Sequence, residues 1–330
     1  MTQEPSPPSF ESQPVVPVCY RHPKRETYVR CTRCERPICP ECMNEASVGH
    51  QCPECVAEGR RTQRQWKTAF GGSPSGARGR VTITLIAINV VVMIAAVASA
   101  GVGTSLFGGR GFGGLLGGFT PVHMWGALIP APTAFVEVLR GGGVGQLVAV
   151  SDGVAHGEYY RMLTSMFLHY GLLHLLMNMW ALWILGRALE GMLGPVRFLA
   201  LYLVSGLGGS VAVFLFSDPH SASAGASGAI FGLFAALFVV LKRLGRDTSA
   251  VIPILVLNIA ISFVPGISLA GHLGGLVTGA IVAVALAYAP RQIRNPIQAA
   301  AVVGMLLVLA ALTIFASVAL ADVPLVYIGV

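Results

Sequence analysis

Seven apolar stretches, at about 81–100, 163–186, 196–216, 222–241, 249–264, 267–289 and 298–320, leave this chain few architectures to choose from. At about 1.5 Å of rise per residue, a twenty-residue helix reaches roughly 30 Å, the thickness of a bilayer's hydrocarbon core. In lipid the backbone must satisfy its own hydrogen bonds, and uninterrupted runs of this length do so as helices. No lysine, arginine, aspartate or glutamate lies in the interior of any run, and the fifth is short and carries Pro253. With 54% hydrophobic and 11% charged residues, most of the chain is expected to be membrane-embedded. The expected fold class is an all-α membrane protein, a seven-transmembrane helix bundle with a small N-terminal metal-binding domain.

The charges between the runs predict an orientation. Arg187 and Arg197 follow or border the second run, Lys242, Arg243 and Arg246 follow the fourth, and Arg291 and Arg294 follow the sixth. The connections after the third and fifth runs, and the C-terminal tail, contain no lysine or arginine. By the positive-inside rule the N-terminus is then cytoplasmic and the C-terminus outside, in the cell membrane. The net charge of +7 is accounted for by this loop asymmetry, so no nucleic-acid partner is expected. Met1 to Pro17 is polar and lacks the apolar core of a signal peptide, so the first run is expected to act as an uncleaved anchor.

All seven cysteines lie between Cys19 and Cys55, in four ligand pairs: Cys19-x2-His22, Cys31-x2-Cys34, Cys39-x2-Cys42 and Cys52-x2-Cys55. A two-residue gap lets both side chains turn onto one tetrahedral ion, and eight ligands suit two structural Zn2+ sites. Thiolate ligands agree with the reducing cytosol that the charge pattern predicts for this end. His50 is a ninth candidate that reads more simply as a surface histidine. Spacing alone leaves open which pairs share an ion. The short gap between Cys34 and Cys39 resembles the cross-braced B-box type of zinc finger, over about 40 residues.

The expected organisation is a disordered tail at 1–17, a zinc module at 18–58 and a basic linker at 59–80 carrying Arg60, Arg61, Arg64, Lys67, Arg78 and Arg80. A membrane domain at 81–320 and a tail at 321–330 follow. A long loop, 101–162, separates the first two runs. It is glycine-rich at 108–118, and Val122 to Leu128 reads as interfacial.

Polar groups inside membrane spans are functional candidates. Ser227 lies in Ala224-Gly225-Ala226-Ser227-Gly228-Ala229-Ile230-Phe231-Gly232, one to two turns inside the expected fourth span. His174 and Asn178, four apart in the second run, share one helix face, and His272 lies in the sixth. The plainer readings are helix packing for the small residues, an interhelical hydrogen-bond pair, and a satisfied core histidine. Depth argues against three unrelated contacts. Ser227 lies about 22 Å from Lys242 along its helix, His174 about 20 Å from Arg187, and His272 about 26 Å from Ala289. All three reach one level in the outer half of the membrane. A serine needs an adjacent base to act as a nucleophile, and His272 can take its proton and later deliver it to a leaving amine. His174, Asn178 and the Ser227 amide can hold a developing oxyanion. Beyond Arg161 the acids are Glu190, Asp218, Asp247 and Asp322, all at span ends or in loops, so the arrangement is a Ser-His dyad without a carboxylate.

Three motifs, Gly225-x-Ser227-Gly228-x3-Gly232, His174-x3-Asn178 and His272-x2-Gly275-x3-Gly279, resemble in order and spacing those of the rhomboid family of intramembrane serine proteases. The resemblance implies Ser227 as nucleophile, His272 as base and His174 with Asn178 as oxyanion hole. It also implies a catalysis that needs no cofactor, and transmembrane protein substrates cut near the outer face of the lipid bilayer. It further implies that the short fifth span is a lateral gate. The family's Trp-Arg pair in the first loop stands here as Tyr160-Arg161, the residue before the base is Gly271, and His169 matches a structural loop histidine. The alternatives are a catalytically inactive rhomboid-like adaptor, whose relatives lack the serine or the histidine, and a transporter, which would place charges inside the spans. For the zinc module the expectation is a cytosolic partner or a purely stabilising role.

Overall fold

In a computed structural model of the chain, residues 16–62, 67–100, 118–138 and 144–329 are described. Nearly all of the expected tail, residues 63–66 of the linker and most of the glycine-rich stretch lie outside the described residues. The chain divides into two compact units, Met1–Gln65 and Trp66–Val330.

In the first unit the core consists of Cys19, Cys31, Ile38, Cys39, Cys42, Cys52 and Cys55. Around it run two short antiparallel strands, β1 (Asn44–Glu45) and β2 (His50–Gln51), and helix α1 (Pro53–Thr62). Proline stands at the first position of α1, where a missing N–H costs nothing, and Cys55 is its buried residue. A core of one isoleucine and six cysteines cannot stabilise a fold by apolar burial alone.

The second unit contains helices α2 (Arg80–Ala100), α3 (Pro121–Gly126), α4 (Arg161–Thr164), α5 (Leu172–Leu193), α6 (Pro195–Phe216), α7 (Ser227–Arg243), α8 (Val251–Ile261), α9 (Leu269–Tyr288) and α10 (Arg294–Ala319). Seven apolar helices thus overlap the seven apolar runs. Among the described residues, α2, α5, α6, α9 and α10 are long and apolar enough to cross a membrane. Helix α7 has 17 residues and α8 only 11, about 26 and 16 Å long. Of α8's residues, Val251 alone is buried.

Two helices begin later than expected. The second run was expected to span from 163, but residues 163–171 form the end of α4, a 3-10 turn at Ser165–Phe167 and an extended link before Leu172. Met166, Leu168 and His169 are buried there, so apolarity marked burial rather than helix. Helix α7 starts at Ser227 rather than 222, which makes Ser227 its first residue and not one a turn or two inside. The cause is local: Gly225 takes a φ of +142°, outside helical space, and its N–H donates to the Ser165 carbonyl (2.9 Å).

Helices α6, α7 and α9 form the centre of the bundle. Glycines set their spacing. A Cβ on Gly275 would collide with the Gly228 carbonyl, one on Gly279 with the backbone of Gly232, and one on Gly208 with Thr278. This is small-xxx-small packing, with backbones in contact. At the end of the bundle that holds Arg80, Glu190 is fully buried and caps α2. It accepts from the N–H groups of Val81 (3.1 Å) and Thr82 (2.9 Å) and from the Thr82 hydroxyl (2.8 Å).

At the other end the long loop folds into a hairpin, β3 (Thr133–Val138) against β4 (Val144–Ser151). On the far side of β3 lies β5 (Val326–Gly329), parallel to it with Thr133 opposite Val326. A three-stranded sheet is therefore added to the expected helical architecture, with one strand drawn from the stretch read as a plain tail. Leu128 and Ser223 exchange two backbone hydrogen bonds (2.9 Å each), and the Ala131 N–H donates to the Pro219 carbonyl (2.8 Å). The loop is thereby tied to the segment that leads into α7. Arg161, 2% exposed, anchors it from beneath: Nε donates to Glu158 (2.6 Å) and a terminal nitrogen donates to the carbonyls of Met124 (2.8 Å) and Ala127 (3.0 Å). Burial would raise the Glu158 carboxyl, but bonds from Arg161, Ser151 and Gly153 hold it below the usual carboxylate range.

Candidate active site

Ser227 opens α7 and His272 lies in the first turn of α9, so the close packing of these two helices brings their N-terminal ends together. Ser227 Oγ and His272 Nε2 are 2.8 Å apart. Phe231, one turn along α7 from Ser227, stacks on the imidazole with ring centroids 4.1 Å apart and planes 13° apart. On the other side of the ring, Nδ1 meets Ser262 Oγ at 2.6 Å. Ser262 caps the C-terminus of α8 and is 2% exposed, and its hydroxyl donates to the Asn258 carbonyl (2.8 Å).

His174 lies beside Gly225. A Cβ on that glycine would sit 3.0 Å from His174 Nε2 and 3.5 Å from Ser227 Oγ. The absence of a side chain at 225 is what lets imidazole and serine face one space. Asn178 lines the same cleft, and its amide donates to the His174 carbonyl (2.9 Å). His169 packs edge-on against His174, and the Tyr170 hydroxyl donates to the Ala222 carbonyl (2.9 Å). As the first residue of its helix, Ser227 has an amide with no intrahelical partner, and so do Gly228 and Ala229; the ladder begins at Ile230. These N–H groups carry the partial positive charge of a helix N-terminus.

The four residues expected from the sequence thus line one cleft of about 1510 Å3 between α5, α6, α7, α8 and α9. Ser262 and Phe231 were not among them. The i, i+4 spacing of Phe231 from Ser227 was visible in the sequence; nothing marked Ser262, whose role depends on where the end of α8 falls.

In the N-terminal unit the four ligand pairs interleave. Cys19, His22, Cys39 and Cys42 form one cluster, and Cys31, Cys34, Cys52 and Cys55 the other, with ligand atoms all within 4.8 Å of one another. His22 Nδ1 lies 3.8, 3.2 and 3.4 Å from the sulfurs of Cys19, Cys39 and Cys42, and the Cys34 and Cys52 sulfurs are 3.7 Å apart. A tetrahedral ion with metal–sulfur bonds of about 2.3 Å needs sulfurs about 3.8 Å apart, so both clusters fit one. Backbone N–H groups of Cys52 and Cys55 donate to the sulfurs of Cys31 (3.2 Å) and Cys52 (3.3 Å), and Arg36 donates to Cys34 (3.2 Å), as a thiolate shell requires. Both clusters can hold a metal ion. His50 belongs to neither; it sits in β2, opposite Glu45.

Five helices of membrane length and apolar composition among the described residues mark an integral membrane protein, and the cleft is mostly apolar, with its few polar side chains gathered near Ser227. The Rhomboid domain family model matches residues 156–289. The chain is 41% identical over 167 residues to the rhomboid protease GluP of Bacillus subtilis, covering 46% of this chain and 32% of that protein. It is also 41% identical over 133 residues to the putative rhomboid protease YdcA of the same organism, covering 38% and 67%. To the rhomboid-type serine protease 2 of Emericella nidulans it is 33% identical over 157 residues, covering 45% and 31%. The chain belongs to the rhomboid family. It spans about a third of the length of GluP and two thirds of that of YdcA.

Proposed function

We propose that the chain is an intramembrane serine endopeptidase that cleaves transmembrane proteins near the outer face of the cell membrane. The observation that carries this reading is the 2.8 Å contact between Ser227 Oγ and His272 Nε2 inside a cleft of apolar helices. Ser227 attacks the scissile carbonyl while His272 Nε2 takes its proton. His174, Asn178 and the Ser227 amide at the positive end of α7 stabilise the oxyanion. His272 then protonates the departing amine, and a water deprotonated by the same nitrogen releases the acyl group. No cofactor takes part. Helix α8, with one buried residue, is the element best suited to yield to a substrate helix arriving from the bilayer.

The charge pattern supports a cytoplasmic N-terminus and an external C-terminus. On this reading residues 18–58, with α1 continuing to Thr62, form a B-box-like zinc finger. It binds two structural Zn2+ ions and takes a cytosolic partner or steadies the chain. Residues 59–80 are its linker, 81–320 the protease and 321–330 a tail.

Labelling by a fluorophosphonate, together with cleavage of a membrane-anchored substrate in detergent, tests the reading. Ser227→Ala and His272→Ala should each abolish cleavage, and the double variant should be hardly worse than either, because nucleophile and base act as a unit. His174→Ala or Asn178→Ala should cost on the order of 10- to 1,000-fold, the range for one oxyanion donor. Cleavage by folded Ser227→Ala at the wild-type rate would overturn the assignment, and a wild type that neither labels nor cleaves would favour the inactive adaptor.

A further inference from the structure

We infer that Ser262 is a positioning residue for the base: it fixes the tautomer of His272 and couples α8 to the reaction. The inference rests on the protease reading. A neutral imidazole has one N–H and one lone pair, and only the tautomer with the proton on Nδ1 leaves Nε2 free to accept from a serine. In triads a carboxylate secures this by accepting from Nδ1, but among the described residues the partner at His272 Nδ1 is Ser262, not a carboxylate.

Ser262 supplies the acceptor in another way. Its hydroxyl has a single proton, and that proton is directed to the Asn258 carbonyl at 2.8 Å, the back-bond one turn down that serine makes readily in a helix. Toward His272 the oxygen then has only lone pairs to offer, at 2.6 Å from Nδ1. Nδ1 must donate, so Nε2 faces Ser227 Oγ as an acceptor. Phe231 stacked on the ring holds its plane, and two hydrogen bonds at opposite edges fix its rotation. The chain Asn258 carbonyl, Ser262, His272, Ser227 therefore runs in one donor–acceptor direction and ends on the nucleophile. When Ser227 gives up its proton, the imidazolium keeps its bond to Ser262, now charge-assisted and stronger.

The support comes from the C-terminal end of α8, the helix least anchored in the bundle. A displacement of that end by hydrogen-bond length releases Nδ1. The base is thus fully set only when α8 is seated, whether before a substrate arrives or after it has passed.

Cleavage kinetics and thermal unfolding of Ser262→Ala and Ser262→Thr, with Ser227→Ala as reference, decide the matter. Ser262→Ala should lower kcat on the order of 10-fold, what a neutral hydrogen bond is worth, with KM and the unfolding midpoint little changed. Ser262→Thr, which keeps the hydroxyl, should recover most of that loss. An unchanged kcat in Ser262→Ala overturns the inference, and so does a loss that Thr fails to restore or that follows a fall in the unfolding midpoint. If Ser227→Ala cleaves normally, the protease reading itself fails. If Ser227→Ala is dead while Ser262→Ala matches wild type, only the role of Ser262 does.

Discussion

His272 has two ring nitrogens and a serine on each, and the difference between those serines is what their neighbours leave them to offer. Ser262 has spent its proton on a carbonyl; Ser227, at the start of a helix, has not. The same accounting applies to the cysteines. Each cluster takes its first pair from one segment and its second from beyond a pair belonging to the other cluster, so the two share one interleaved scaffold. Replacing Cys31 and Cys34 by serine should therefore empty both sites and unfold 16–62, since small metal modules rarely fold without their ions. Metal analysis should find the purified variant near zero rather than one ion per chain, with fluorophosphonate labelling of Ser227 retained. One tightly held ion in a folded module would contradict the interlock. The combined membership of both clusters was legible in the sequence because an x2 gap is local chemistry. Which pairs share a cluster was not, because it depends on how distant segments cross. That Ser227, His272, His174 and Asn178 would meet in one cleft was legible for a related reason: helical rise converts sequence distance into depth. Ser262 lies where a helix ends, and helix ends are the least readable points of an apolar run.

Among the elements, α7 and α9 are positioned by glycines rather than by large side chains. Gly275 and Gly279 face the backbone of Gly228 and Gly232 across the helix pair that carries Ser227 and His272. Backbone cannot give way as a side-chain tip can. Gly275→Ala should destabilise the membrane unit by about 1–3 kcal/mol, the usual cost of overpacking, and should reduce cleavage by pushing His272 away from Ser227. Gly191→Ala in α5, where an added Cβ meets nothing within 4 Å, is the control and should be neutral or slightly stabilising. Thermal melts in detergent check both, and an equal response to the two substitutions would refute the packing argument. Element identity was readable from the apolar runs because membrane length is a hard constraint. Where a helix starts was not: Gly225 and its bond to Ser165 decide that by tertiary contact.

Across the whole second unit, the sheet joins parts that are far apart in sequence. β5 follows the last helix, yet it pairs with β3, which precedes six of the seven apolar helices. Through Leu128 and Ala131 the same loop holds the segment entering α7. Removing residues 323–330 should expose the hairpin at 133–151 to limited proteolysis while leaving the helical bundle's melting midpoint nearly unchanged. If the hairpin is as resistant as before, β5 contributes nothing to it. The pairing also sets an order of events during synthesis. A ribosome makes β3 early, and the β5 edge of the hairpin then stays unpaired until the chain beyond α10 has been made. Contacts of such long range close last, because the entropy of the intervening chain must be lost first. The loop that frames Ser227 is thus completed only when the chain beyond α10 has been made, so a partly synthesised chain, already carrying Ser227 and His272, would still lack the brace around them.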